Sequence, residues 1–313
     1  MIEAEGLTKR YGPKTAVDNI SFAVHPGHVT GFLGPNGAGK STTMRMAVGL
    51  DRPTSGRVTV NGKPYAQHKA PLREAGALLE AKAVHTGRSA TNHLRSLAAT
   101  HGIGRKRVRE VIDMTGLADV AGKRVGGFSL GMGQRLGIAA AMLGDPRTLI
   151  LDEPVNGLDP EGVKWVRTLV RYLADEGRTV FLSSHLMSEM AITADQLIVI
   201  GRGRIVSQGP VQEVIDSATH SSVRVRSPQA TDLAAALQRD GVTVTSLEPS
   251  LLDVSGLEAP QVGEAAAAAG IVLHELTPQR ASLEDAFMTL TAGEVEYASG
   301  DPHAAATTEG ALQ

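Results

Sequence analysis

Cysteine is absent from the 313 residues, which excludes disulfide frameworks, thiolate catalysis and cysteine-based metal sites together. Aromatic residues make up 3% of the chain, which weakens any reading that needs an extended platform for stacking the bases of a nucleic acid. An excess of either charge is missing as well. Lys and Arg number 31 against 33 Asp and Glu, a formal net charge of -2, so the chain is not a polycation built to coat nucleic acid, and no nucleic-acid partner is expected. No window approaches the roughly 18 uninterrupted apolar residues of a membrane span. The opening Met1-Ile2-Glu3-Ala4-Glu5 has neither the basic start nor the apolar core of a signal peptide. Both absences fit a cytoplasmic protein that meets a membrane only through a partner. The ten histidines are scattered without metal-ligand spacing.

What is present is an ordinary globular composition with 42% hydrophobic residues, long enough for one large domain and a smaller one. Val17–Val24 and Val29–Leu33 read as buried strands around a Pro26-Gly27 turn, and Ser41–Leu50 reads as a helix. Arg57–Val60 alternates as a strand and stops at Asn61-Gly62, a hairpin turn signal. From Ser89 to Leu143 the pattern is helical, broken at Gly102, Gly104 and Gly126-Gly127. Strand Thr148–Leu151, helix Gly162–Glu176 and strand Thr179–Ser183 come next. Strands alternating with helices predict an α/β core with a mostly parallel sheet, carrying a helical insertion over about residues 82–147.

A second unit is expected over residues 220–292, after a first domain of 1–219. It reads as strand Val223–Arg226, a helix capped by Thr231 and running to Arg239, strands Val242–Val244 and Leu251–Val254, a helix Gln261–Ala269, and a strand Ile271–Leu276. That order predicts a small split-βαβ, ferredoxin-like α+β domain. Ser282 to Asp285 resembles a capping box opening a last helix, and the small polar residues 293–313 read as a disordered tail. Arg105-Lys106-Arg107-Val108-Arg109 reads either as a nucleic-acid patch or, better, as the solvated face of an amphipathic helix with Val108, Val111, Ile112 and Met114 opposite.

Two segments carry chemistry. Gly34-Pro35-Asn36-Gly37-Ala38-Gly39-Lys40-Ser41-Thr42 has the glycine and Gly-Lys-Ser spacing of a phosphate loop, between an apolar strand and a helix. Glycines let main-chain N–H groups curl around an anion, and the helix N-terminus adds its dipole. Lys40 is expected to reach the β- and γ-phosphates of a nucleoside triphosphate, and the Ser41 hydroxyl to ligate Mg²⁺. Asp152-Glu153 ends the apolar strand Leu149-Ile150-Leu151. Asp152 fits a carboxylate on the Mg²⁺, and Glu153, one residue on, fits the base for an attacking water; alone, the pair would read as a solvated strand end.

With these motifs the chain resembles, over roughly residues 1–215, the ATP-binding subunit of an ATP-binding cassette (ABC) transporter. Phe128-Ser129-Leu130-Gly131-Met132 followed by Gly133-Gln134-Arg135 resembles the signature segment of that family, and Asn156-Gly157-Leu158-Asp159 the loop after the catalytic glutamate. His185 in Ser183-Ser184-His185 resembles the switch histidine, and Tyr11 the aromatic that stacks on adenine. The resemblance implies a P-loop NTPase fold, ATP and Mg²⁺ as cofactors, and two subunits meeting head to tail, each ATP lying between one phosphate loop and the other chain's Ser129 and Gly131. It implies that His185 holds the γ-phosphate and the attacking water. Read as isolated residues, Ser129 is a helix N-cap and Tyr11 a half-buried surface aromatic.

Two departures point to one branch. Leu130 stands where the signature usually has glycine, and Glu80 where the family usually has glutamine; Gly76-Ala77-Leu78-Leu79-Glu80 and Ser129 to Met132 together resemble the ATPases of bacitracin- and daunorubicin-type drug exporters. Glu80 reads either as a group near the Mg²⁺ region and the partner, or as a solvated loop carboxylate. The expectation is an ATPase subunit, paired with a second copy or a homologous ATPase, at the inner face of the cell membrane through an integral membrane permease, exporting an antibiotic or another lipophilic compound. The rival readings are a soluble ATPase of the same family acting on ribosomes or DNA, and a nucleotide-dependent regulatory sensor.

Overall fold

A computed structural model describes residues 1–80, 84–218, 222–279 and 282–291. The first predicted residues of the helical insertion, the boundary at 220 and the tail 293–313 lie outside them. Two compact units are distinguished, Met1–His185 with Ile198–Val206, and Leu186–Leu197 with Ser207–Leu290. Among the described residues, no helix is long and apolar enough to cross a membrane.

In the first unit β1 (Ile2–Tyr11) pairs antiparallel with β2 (Lys14–Val24). β3 (Val29–Leu33), buried at every residue, leads through the glycine loop into α1 (Lys40–Ala47). β4 (Ser55–Val60) closes a three-stranded sheet in the order β2-β1-β4. Asn61 and Gly62 adopt φ of 51° and 82°, the left-handed pair that Asn-Gly favours. The turn is closed by one antiparallel pair, Val60 with Lys63, whose reciprocal main-chain bonds are 2.8 and 3.3 Å, and it opens no longer second strand; β4 finds its ladder partner in β1. The Asn61 carboxamide oxygen accepts from the N-terminal ammonium at 2.8 Å and from the Thr148 hydroxyl at 3.0 Å.

After α2 (Pro71–Glu74) and β5 (Ala75–Leu78), the helical stretch resolves into α3 (Ala90–Thr100), α4 (Arg105–Met114) and α5 (Leu130–Ala141). Ser89 caps α3, its hydroxyl accepting from the Asn92 N–H. On α4, Val108, Val111 and Ile112 are buried while Lys106 and Arg109 are exposed, so the basic run is the wet face of an amphipathic helix. The chain continues through β6 (Thr148–Leu151), α6 (Pro160–Asp175), β7 (Thr179–Ser183), α7 (Met187–Thr193), β8 (Gln196–Gly201) and β9 (Arg204–Pro210).

The six-stranded sheet runs β5-β6-β7-β3-β8-β9, with β5–β6, β6–β7 and β7–β3 parallel. Parallel strands buried on both faces explain the continuous apolar runs of β3, β6 and β7. Three of the few aromatics join the two sheets: Phe22 of β2, Phe32 of β3 and Phe181 of β7 meet with ring centroids 5.2 to 6.0 Å apart. Because β3, β6 and β7 are parallel and in register, the segments leaving their C-terminal ends converge on one edge.

The second unit holds α7 and α8 (Val211–Ala218). It continues with β10 (Ser222–Arg226), α9 (Ala230–Leu237), β11 (Thr243–Glu248), β12 (Leu251–Ser255), α10 (Ala259–Ala268), β13 (Glu275–Gln279) and α11 (Leu283–Thr291). Its sheet runs β11-β12-β10-β13, antiparallel throughout. Val223, Val225, Leu233, Leu252, Val254 and Val262 fill its core. Three local expectations are corrected. Thr231 lies inside α9, which starts at Ala230 without a side-chain cap and stops at Leu237 before Arg239. The strand expected at Val242–Val244 begins at Thr243 and runs on to Glu248. The strand expected from Ile271 begins only at Glu275, because Ile271 completes the C-terminus of α10: its N–H donates to Ala266 O at 2.9 Å and that of Gly270, at φ 67°, to Ala267 O at 3.1 Å. That pair of bonds is a Schellman cap, and Ile271 is its buried hydrophobe. At the start of α11, Ser282 and Asp285 exchange main-chain to side-chain bonds of 3.1 Å each, the capping box read from the sequence.

Candidate functional site

A cleft of about 570 Å³ opens on the convergent edge, lined by Tyr11, the loop Pro35 to Thr42, Glu80, Leu130, Gln134, Asp152, Glu153 and Asn156 among others. That volume is of the size that encloses a nucleotide-sized ligand. The structure therefore brings most of the expected residues together. Gly34, Ser129, Gly131, Asp159 and His185 do not line the cleft.

The loop is shaped by where side chains cannot go. A Cβ on Gly39, at φ 109°, would fall 2.6 Å from Ala16 O, and one on Gly34 would fall 2.4 Å from Ile200 O. The chain can thus turn tightly into α1 only with glycine at these positions. Lys40 is 8% exposed, and its Nζ donates to Gly34 O at 2.6 Å and Pro35 O at 3.3 Å, spanning the loop it belongs to. Burial pushes its ammonium below the usual lysine range, against the opposing charges of Glu153 and Asp152. A buried cation beside a glycine loop at a helix start is a cradle for an anion. Ser41 is exposed in the first turn. Among the described residues no cluster of three His, Asp or Glu side chains that could hold a metal is present. A cation at Ser41 and Asp152 would be completed by phosphate oxygens and water, the usual habit of Mg²⁺.

The two acids that end β6 are held differently. Asp152 Oδ1 accepts from the Ser183 hydroxyl at 2.5 Å. Glu153 carries a left-handed main chain, φ 51°, a strained choice for a residue with a side chain. Its N–H donates to the same Ser183 hydroxyl at 2.9 Å, and its carbonyl accepts from Gln134 Nε2 at 2.7 Å and from the Asn156 N–H at 3.2 Å. The turn sends its carboxylate away from that of Asp152, to Oε2–Nδ1 contact with His185 at 2.7 Å. The His185 N–H also donates to Oε2, at 3.3 Å.

Tyr11 is 46% exposed on the cleft rim. Its hydroxyl donates to Asp51 Oδ2 at 2.9 Å, an oxygen that Arg45 Nε also meets at 2.8 Å. The Lys9 ammonium lies 4.8 Å from its ring centroid. Glu80 is exposed on the cleft, where its charge reaches Arg45. Ser129 caps α5, its hydroxyl accepting from the Met132 N–H at 3.2 Å, and Asp159 caps α6, accepting from the Gly162 N–H at 2.9 Å. The departure at Leu130 has a packing reason: a Cβ on Gly157 would fall 2.2 Å from Leu130 Cδ2, so the leucine covers the glycine of the loop after Glu153.

Ser183 and Gln134 are the site residues that sequence reasoning passed over. Ser183, 0% exposed, read as the last residue of a strand, and Gln134 only as part of the run that follows the signature segment, with no role in the site. The available signal was a polar residue inside an apolar pattern, which when buried needs a partner.

The profile of the family described as "ABC transporter" matches residues 17–156, and that of a domain of unknown function, DUF8746, matches residues 221–284. The chain is 34% identical over 295 residues to "Uncharacterized ABC transporter ATP-binding protein YhcH" of Bacillus subtilis (strain 168), 93% of this chain and 96% of that one. It is 43% identical over 213 residues to "Bacitracin transport ATP-binding protein BcrA" of Bacillus licheniformis, covering 67% and 70%. A solved structure of the ATP-binding subunit of an ABC transporter superposes with a TM-score of 0.64 at 25% identity, covering 69% of this chain and 92% of the other.

Proposed function

This chain belongs to the family of ABC transporter ATP-binding proteins, and from that premise we propose that two ATPase subunits close around two MgATP and drive a separate membrane permease that exports an antibiotic or another lipophilic compound. ATP and Mg²⁺ are its cofactors and ATP hydrolysis its reaction. The observation that carries the reading is the split between Asp152, turned to Ser183, and Glu153, turned to His185, at the rim of a cleft that also holds Lys40 and Ser41.

In this reading the main-chain N–H groups of Pro35 to Thr42 wrap the phosphates, and the Lys40 amine exchanges its carbonyl partners for β- and γ-phosphate oxygens. Ser41 and Asp152 hold the Mg²⁺, which when bound neutralises charge on those phosphates. Glu153 accepts the proton of the attacking water. His185, with Nδ1 against the carboxylate, keeps Nε2 for the γ-phosphate. Tyr11 lies under the adenine, and Lys9 on its ring leaves the opposite face for stacking. Each chain has one phosphate loop and one signature segment, so a complete site needs a second subunit, in the simplest case a second copy. Ser129 and Gly131 at the start of α5 then face the partner's γ-phosphate, and Asp159 the subunit junction. An exposed Ser129 and an exposed Leu130 beside it support this use of the helix end. The permease and the antibiotic cargo rest on the relative named for bacitracin transport, and they put the chain at the inner face of the membrane.

Glu153→Gln tests the chemistry. ATP binding should persist, phosphate release should fall by about a hundredfold or more, and an ATP-bound dimer should accumulate on size-exclusion chromatography. Wild-type phosphate release would remove Glu153 from the mechanism. Because the chain has no cysteine, Ser41→Cys with Ser129→Cys supplies the only two thiols in each subunit, and an interchain disulfide between positions 41 and 129 is expected. A crosslink formed only within one chain would refute the head-to-tail pairing.

A further inference from the structure

The main chain of Glu153 is strained and is held from two sides. Its N–H ends on Ser183, a fully buried residue of β7 in the middle of the parallel sheet. Its carbonyl takes two donors: the Asn156 N–H at 3.2 Å, inside its own turn, and Gln134 Nε2 at 2.7 Å, from α5. Gln134 is 4% exposed, and donating to Glu153 O is the hydrogen bond its amide makes inside the protein. A second contact joins the same partners, since Leu130, the first residue of α5, covers Gly157 four residues after Glu153. A left-handed glutamate persists only where its surroundings over-determine it. One of its fixings comes from the sheet, and the other from α5.

We propose that Gln134 is a positioning residue for Glu153 of its own chain, transmitting the placement of the signature helix α5 to the acid's main chain. The inference rests on the reading of Glu153 as the base and of Ser129 as the group that meets the partner's ATP. The helix that carries Ser129 toward the neighbouring site is, five residues later, the helix that grips the acid serving the chain's own ATP. Each subunit thereby contains the link between the two nucleotide sites. The link is the amide of Gln134 with Leu130 on Gly157, and it needs no movement of the sheet.

The test uses full-length dimers purified through two different tags. The reference dimer pairs a wild-type subunit with a Glu153→Gln subunit, so that a single acid works. In one variant the working subunit also carries Gln134→Met, which keeps the volume and removes the donor. In the other variant Gln134→Met is on the Glu153→Gln subunit. The first should lose roughly tenfold to a hundredfold in kcat, the scale of a small misplacement of a reacting group. Its KM for ATP should stay within about twofold, because the phosphate loop is untouched. The second should keep the reference rate. Loss in the second dimer alone would make Gln134 a contact to the partner's ATP and overturn the proposal. Equal loss in both would mean general damage to α5, and no loss in either would mean that the amide holds nothing; each overturns it. If the dimer with Glu153→Gln on both sides hydrolyses ATP at the wild-type rate, the reading of Glu153 itself has failed, which is recognisable apart from any effect of Gln134.

Discussion

Replacing Ser183 by alanine removes one oxygen and two hydrogen bonds. The hydroxyl donates to Asp152 Oδ1 at 2.5 Å and accepts from the Glu153 N–H at 2.9 Å, and the residue is 0% exposed, so water does not readily replace it. A hydrogen bond to a charged group contributes about 1.5–3 kcal/mol and a neutral one about 0.5–1.5 kcal/mol. The substitution should therefore cost about 2–4 kcal/mol. In a domain of this size that is a fall in Tm of about 5–15 °C. Function should suffer in a specific way. Asp152 loses the donor that aims it, so the Mg²⁺ concentration needed for half-maximal phosphate release should rise, while ATP binding without metal stays nearly unchanged. Ser183→Thr keeps the hydroxyl and should recover most of the Mg²⁺ dependence, even if its added methyl costs stability in a closed site. Circular-dichroism melting and Mg²⁺ titrations of the ATPase rate measure both. If Ser183→Ala melts within about 2 °C of wild type and titrates with Mg²⁺ as wild type does, the hydroxyl is not bridging the acids and the reasoning is wrong.

Tyr11→Ala should raise the Kd for ATP about fivefold to thirtyfold, the loss of about 1–2 kcal/mol of base stacking, while Tyr11→Phe should bind as wild type does; equal affinity for the alanine variant in a fluorescent-nucleotide titration would dismiss Tyr11 as the platform. Glu80→Ala should leave ATP affinity unchanged and reduce the stimulation of ATPase rate by the permease in reconstituted membranes; equal fractional losses of basal and stimulated rates would assign it a purely catalytic role. Asp145 is a test of acid stability. Burial alone would raise its carboxyl, but the Arg178 guanidinium and then Arg107 hold it below the usual aspartate range. A depressed carboxyl contributes stability that is complete above its unfolded value and is lost as pH falls through its folded one. Asp145→Asn, which suits the left-handed φ of 53° there, should cost stability at pH 7 and much less at pH 3. A urea-unfolding gap of the same size at both pH values would contradict the assignment.

The phosphate loop was legible because its information is local. Glycine at fixed spacing, an apolar strand before it and a helix after it need no distant partner, and the same holds for the Asp152-Glu153 strand end and the capping box at Ser282. Strands Thr148–Leu151 and Thr179–Ser183 were legible to the residue because burial on both faces leaves an uninterrupted apolar run. β1 left no such trace. Its pairing with β2 shifts register between Ala4 and Leu7 and again between Leu7 and Lys9, and each shift breaks the alternation that a reader counts. β5 was equally hidden, since Ala75, Gly76 and Ala77 have little strand propensity. Gly76 is small for a tertiary reason: a Cβ there would fall 1.9 Å from Ala141 O, where α5 crosses the strand.

By itself, then, the sequence determined which residues could meet phosphate and which acids stood at the strand end, but not that Leu186–Leu197 groups with the second unit while Ile198–Val206 returns to the first. It assigned the two neighbouring acids different parts, but it could not determine the geometry that separates them. Asp152 and Glu153 are adjacent in the chain, and their separation into one carboxylate toward Ser183 and one toward His185 depends on a φ of 51°. That angle is not a property of glutamate. It is imposed by a serine 30 residues away in the chain and a glutamine 19 residues away, on a strand and a helix that meet Glu153 only after the sheet has formed and α5 has packed on it. Hydrogen bonds of such sequence separation are invisible to local pattern, and their energy becomes available only once the fold has excluded water from both partners.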